Sequence, residues 1–198
     1  PFGFVSYQTS EYILHMYVMH RPRKNVVLRA LYIRHTLMHH QFFTKEEMRF
    51  ADHKDWRVTF FPPFTMLGLT LLSIIPSLAA GIIISENVGW LLMAAFTASY
   101  MFYELIHFCC HIDDNWLIRN MPLINTARRH HTAHHDHQLM MSVNMGIGTA
   151  LPDWMMGTSD LDRGFWGHLF NGYDQTHVRN DLRRSFVPTA RASAQARS

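Results

Sequence analysis

Fifteen of the 198 residues are histidine, against 18 Lys and Arg together, and ten of the fifteen fall into four groups whose spacing carries chemical meaning. His15 and His20 enclose four residues; His35 is followed by His39 and His40; His107 and His111 stand four apart; His131 is followed by His134 and His135. On an α-helix, positions i, i+3 and i+4 share a face, so the last three groups each aim at least two imidazoles in one direction. The first, spaced i+5, needs a helix end or a distortion. Imidazoles paired on one face form a metal chelate, and ligand number separates the metals. Two structural zinc ions would use eight of the ten nitrogens, whereas two octahedral ions with five each use all ten and leave one open position per metal. Open positions on paired, imidazole-rich metals suit iron and dioxygen. Zinc could occupy the same cage in purified protein, because availability as well as affinity decides occupancy.

Groups so far apart in the chain meet only if helices bring them together. Residues 64 to 84, FTMLGLTLLSIIPSLAAGIII, form an uncharged run of about the 20 residues that a helix needs to cross a bilayer, with Pro76 inside it as an expected kink. Ser85, Glu86 and Asn87 make a polar turn, and residues 88 to 108 give a second apolar run. The pair reads as a transmembrane hairpin. All 18 Lys and Arg lie outside residues 58 to 118, nine on each flank, which by the positive-inside rule puts both flanks in the cytoplasm. The net charge of +3 and pI near 9.1 are therefore a topology signal, and no nucleic-acid partner is expected. At about 1.5 Å per residue His107 lies roughly 27 Å along the second span, near the cytoplasmic end of a core about 30 Å thick. The fold class expected is all-α: an integral-membrane helical bundle with a transmembrane hairpin and a cytoplasmic histidine-rich helical cap. The mean hydropathy of -0.08 averages that scaffold with its polar cap.

Residues 1 to 19 suit either the end of an earlier span or an interfacial helix, and 24 to 60 suit helices lying at the membrane surface. Leu161 to Tyr173, rich in aromatics, is expected to dock on the body or the bilayer. One domain is expected over 1–187, followed by a basic, low-complexity tail, 188–198, expected to be disordered. A chain that starts at Pro1 is expected to be a fragment or a processed product. Adjacent Cys109 and Cys110 are poorly placed to bridge, so no disulfide framework is expected.

Around the clusters, Glu104 is the ionisable residue inside a span, three residues before His107, and is expected to accept a hydrogen bond from a ligand imidazole rather than to be a ligand. Glu11, four before His15, invites the same reading more weakly. Asp136 and Asp153 are candidates for orienting imidazoles. His130 and His137 flank the last group; either could substitute for a ligand, and the favoured expectation is that they support the group from behind, while His53, His168 and His177 lack a partner at helical spacing and are expected at the surface.

The pieces HMYVMH from His15, HTLMHH from His35, HFCCH from His107 and HTAHH from His131 resemble, in order, the fatty acid hydroxylase and sterol desaturase superfamily of integral-membrane diiron enzymes, as does NMGIGTALPDWMMGT from Asn144 to Thr158. The resemblance covers roughly residues 11 to 160. It implies that the ten clustered histidines are ligands of two iron ions, and that the bundle usually has four spans, of which two are visible here. It implies O2-dependent hydroxylation of a lipid C–H bond, with desaturation as the alternative outcome. Electrons would come from a separate donor such as a ferredoxin or b-type cytochrome, since the chain shows no flavin, dinucleotide or haem-attachment motif. The implied location is a bacterial inner membrane or the endoplasmic reticulum. A membrane zinc carrier or store is the reading from another class; ligands gathered at one end of the spans rather than at the midplane count against transport. The absence of His-Glu-x-x-His disfavours a metalloprotease.

Overall fold

The computed structural model describes residues 1–61 and 63–186, so the expected disordered tail lies outside the described residues. Among the described residues the chain is helical, with no β-strand and one isolated bridge between Leu161 and Val178. Two long helices form the scaffold. α5 (Pro63–Ile83) runs 21 residues through Pro76, and α6 (Glu86–His111) runs 26 residues, about 39 Å at 1.5 Å per residue. α6 is thus longer than the apolar run that announces it, and carries His107 and His111 on one rigid rod.

The hairpin closes tightly because glycines face each other near the turn. A Cβ on Gly89 would stand 2.7 Å from the Ser77 carbonyl oxygen, so no larger residue fits that crossing. Ser85 caps α6, its hydroxyl accepting from the Val88 amide at 3.4 Å. The outward faces stay bare: Leu72, Ile75, Ile82 and Leu91 are each at least two-thirds exposed. A hairpin in the core of a soluble protein would hide such side chains; these find apolar surroundings in a bilayer.

Apart from the first helix, which lies along α6, the other elements gather at one end of this rod pair. α1 (Phe2–Leu14) packs along α6, with edge-to-face contacts of Phe4 on Phe102 and Tyr7 on Phe96 at 5.9 and 6.1 Å. The chain then passes a π turn, His15–Met19, into α2 (Val26–Tyr32), which Asn25 caps at its start. A second π turn, Ile33–His39, leads into α3 (His40–Phe42), and α4 (Trp56–Thr59) precedes the hairpin. After α6, α7 (Trp116–Asn120) and α8 (Pro122–His134) fold back over its last turns, burying Ile106, Cys110, Ile118, Ile124 and Ala127 in one apolar cluster. α9 (Leu151–Met156), α10 (Phe165–Phe170) and α11 (Asn180–Phe186) complete the cap. Cys109 and Cys110 are buried free thiols.

Candidate metal centre

The i+5 spacing of His15 and His20 is accommodated by a π turn. The His20 amide donates to the His15 carbonyl at 3.1 Å, and the His40 amide donates to the His35 carbonyl in the same way. Such a turn brings residues five apart onto one face, which a regular helix denies them. One consequence departs from the purely α-helical expectation: HTLMHH is divided. His35 and His40 join His15, His20 and His134, while His39 joins His107, His111 and His131. HTAHH divides as well, since His134 goes to the first set and His131 to the second. Within each set the ligand atoms all lie within 4.8 Å of one another. His135 is outside both mutually close sets and stands between them, its Nε2 3.0 Å from that of His131 and its ring stacked on His40 at 4.1 Å.

The protons on five of these rings can be placed by elimination, because a carbonyl oxygen only accepts. Nδ1–H of His39 donates to Val58 at 3.1 Å, of His111 to Met48 at 2.8 Å, of His134 to Val143 at 2.9 Å and of His135 to Phe43 at 2.6 Å; His15 donates to the Met145 carbonyl. A neutral imidazole with its proton on Nδ1 offers a bare lone pair at Nε2. The Nε2 atoms are the ones that converge: His15 to His35 at 2.7 Å, His134 to His20 at 3.0 Å, His40 to His35 at 3.1 Å, His107 to His39 at 3.2 Å and His111 to His131 at 3.1 Å. Where both nitrogens are bare, lone pairs packed this closely repel unless a cation lies between them. Two nitrogens about 2.1 Å from one ion and at right angles around it stand about 3.0 Å apart, so the donor set fits a metal.

Electrostatics agrees. Burial pushes the pKa of His15 down to about 4, and burial followed by neighbouring imidazoles lowers those of His20, His35, His40 and His131. His39, His134 and His135 are also held below 6.5, first by burial and then by other imidazoles. The rings are therefore neutral, the state in which imidazole binds a metal.

Behind the rings sits a loop with its own scaffold. Met145 and Val143, whose carbonyls orient His15 and His134, flank Asn144, which adopts a left-handed conformation with φ 58°. Asn144 donates to the His130 carbonyl at 3.1 Å and to Asp160 at 2.9 Å, and Asp160 is held by a bidentate pair with Arg129. Asp153 accepts from His130 Nε2 at 3.0 Å, from the amides of Met145 and Gly146 at 2.8 and 2.6 Å, and from the Thr158 hydroxyl at 2.6 Å. Burial works against its charge, but the His130 contact and those donors hold its carboxyl below the usual range. Asp153 thus acts on His15 through the Met145 backbone, not by touching a clustered imidazole.

Other expectations change. Glu104 takes the Tyr100 hydroxyl, not a ligand imidazole, because Tyr100 lies one turn before it on α6. Asp136 pairs with Lys45 at 2.8 Å, the nearer cation drawing it away from the rings. Glu11 accepts from the Ile147 amide at 2.9 Å. His168, expected at the surface, is 2% exposed, because α10 folds onto the cap and its Nδ1 donates to the Gly164 carbonyl. His137, expected behind the last group, is exposed, as are His53 and His177. The carbonyls of Phe43, Met48, Val58, Val143 and Met145 escaped sequence reasoning, since backbone acceptors have no side-chain signature; the one hint was Asn144, a residue that tolerates a left-handed turn.

Next to the first set, α1, α2 and the hairpin enclose a cavity of about 590 Å³ walled by Leu14, Leu28, Leu31, Leu69 and Phe96, with His15 in its lining. No curated protein and no solved structure matches the chain. The model of the fatty acid hydroxylase family matches residues 1–158, and the chain accordingly belongs to that family, within the fatty acid hydroxylase and sterol desaturase superfamily.

Proposed function

We propose that this protein is a membrane-bound diiron oxygenase that hydroxylates a C–H bond of a lipid, using O2 and two external electrons. The observation that carries the reading is the juxtaposition of ten buried imidazoles with an apolar cavity that includes His15 in its wall. In it, His15, His20, His35, His40 and His134 hold one iron, and His39, His107, His111 and His131 hold the other, with His135 alongside. Bound iron supplies the redox chemistry that activates O2. The chain does the rest: Nδ1–H bonds to backbone carbonyls fix five of the rings, the cavity walls exclude water, and the hairpin admits an alkyl chain from the bilayer. The preference for hydroxylation over desaturation rests on the family match. The cap faces the cytoplasm, where a soluble ferredoxin or a b-type cytochrome delivers electrons, in a bacterial inner membrane or the endoplasmic reticulum.

The test is to load the purified protein in nanodiscs with ferrous iron, count iron per chain, and supply lipid extract, a reducing partner and isotopically labelled O2. The expected result is two irons per chain and a lipid carrying one labelled oxygen atom. A folded protein that holds a single metal, or that labels no lipid with any donor, overturns the reading.

A further inference from the structure

Two of the polar side chains that line the apolar cavity keep an atom with nothing to bind. Glu11 and Tyr103 both line it and are 8% and 4% exposed. Each keeps one atom without a hydrogen-bond partner: Oε2 of Glu11 and the phenol oxygen of Tyr103. Neither side chain is loose. The Ile147 amide holds the other oxygen of Glu11 at 2.9 Å, and the Gly148 amide draws on the carboxyl without reaching hydrogen-bond geometry. The Tyr103 ring lies 5.7 Å from His107 and 6.2 Å from Tyr100, centroid to centroid. Buried polar atoms are almost always paired, so two unpaired ones in a cavity point to a ligand that completes them.

Their register in the helices adds a second constraint. Glu11 on α1 precedes His15 by four residues, and Tyr103 precedes His107 by four on α6, a spacing that puts the Cβ of each about 6 Å from that of a histidine of a different set. Both side chains thus stand one helical turn from the metal centre, and His15 shares the cavity wall with them.

We propose that Glu11 and Tyr103 bind a hydroxyl group of the lipid substrate, so that the carbons adjoining that hydroxyl are the ones presented to the metal centre. The inference rests on the oxygenase reading and names its substrate class, a lipid alcohol. A hydroxyl accepts from the Tyr103 phenol and donates to an ionised Glu11; with Glu11 protonated it accepts from both. Burial pushes the Glu11 pKa up to about 8, so both forms matter near neutrality, and a hydroxyl suits either. A carboxylate is repelled by the ionised form, and a hydrocarbon leaves both atoms unpaired. Sites built to pair a substrate hydroxyl discriminate strongly against analogues that lack it.

The experiment measures binding of cetyl alcohol, palmitate and hexadecane to the iron-loaded protein in nanodiscs, for the wild type, Glu11→Gln, Tyr103→Phe and the double variant. Gln preserves the acceptor for Ile147 and Phe preserves the ring packing. Cetyl alcohol is expected to bind about tenfold more tightly than hexadecane in the wild type, with each single variant reducing the ratio to about threefold and the double variant to near one. Hexadecane affinity and iron content should not change. No wild-type preference for the alcohol, or a preference that survives both substitutions, overturns the inference. Should a variant lose iron, cetyl methyl ether in the wild type decides at a pH above that of Glu11 titration: unable to donate, it must bind more weakly than the alcohol, and equal binding overturns the proposal. The two readings separate cleanly. A protein with this binding pattern that oxidises no lipid loses the oxygenase reading alone, whereas one that hydroxylates hexadecane and cetyl alcohol equally, with or without the substitutions, loses only the hydroxyl site.

Discussion

A histidine in this chain is defined by what holds its Nδ1 as much as by where its Nε2 points. His131 belongs to a set with His39, His107 and His111, whereas His177 is exposed, its ring 3.7 Å from Asp174. His131→Ala should therefore lower bound metal by about one equivalent and abolish lipid oxidation, while His177→Ala should change neither; metal analysis of the two variants side by side decides. If His177→Ala is as damaging, the ligand assignment is wrong. Asp153→Asn tests the next layer. An amide cannot accept from His130 and from two backbone amides as a carboxylate does, so the Met145 carbonyl loses its anchor and His15 its orientation. Metal affinity should fall about 10- to 100-fold with helicity intact. The buried Arg129–Asp160 pair, 2% and 0% exposed, is a matter of stability instead. Asp160→Ala strands a buried guanidinium and should cost about 3–5 kcal/mol, visible as a lowered unfolding midpoint.

At the scale of elements, the hairpin and the end of α6 were legible because twenty apolar residues in a row have few alternatives. The histidine groups were legible as clusters, but their allocation between the two sets was not, since spacing rules assume regular helices and two of the decisive turns are π turns. Asp136 and Glu104 were misread for a related reason: adjacency in sequence pointed to the rings, and tertiary partners, Lys45 and Tyr100, took them first. The π turn can be tested directly. Deleting Val18 restores a four-residue step between His15 and the following histidine and removes the i+5 hydrogen bond that aligns them. The first set should then lose its metal while the second, assembled on α6 and α8 with His39 from the other π turn, keeps its own, so that metal content drops from about two to about one equivalent per chain. Loss of both ions together would show that the sets are not independent.

Taken as a whole, the molecule sets a dry cage of imidazoles on an apolar scaffold, and the cage makes stability depend on pH in a direction fixed by its own pKa values. Outside the spanning helices, eight clustered histidines have pKa values below 6.5 in the folded chain, lowered by burial and then, for all but His15, by one another. In the unfolded chain each takes up a proton near 6.5, whereas in the folded chain it does not. Between those two pKa values the unfolded state binds more protons, so stability is retained above about pH 6.5 and falls as the pH drops below it, by about 1.4 kcal/mol per pH unit for each histidine that stays neutral. Bound metal sharpens the same trend, because its ligands must be deprotonated. The unfolding midpoint of the metal-free protein in nanodiscs should decline steeply between about pH 6.5 and about pH 5. Metal release from the loaded protein should follow over the same acid range. A midpoint that holds or rises down to about pH 5 would mean that the rings take up protons in place, which neutral, buried imidazoles with their Nε2 atoms packed together cannot do without separating.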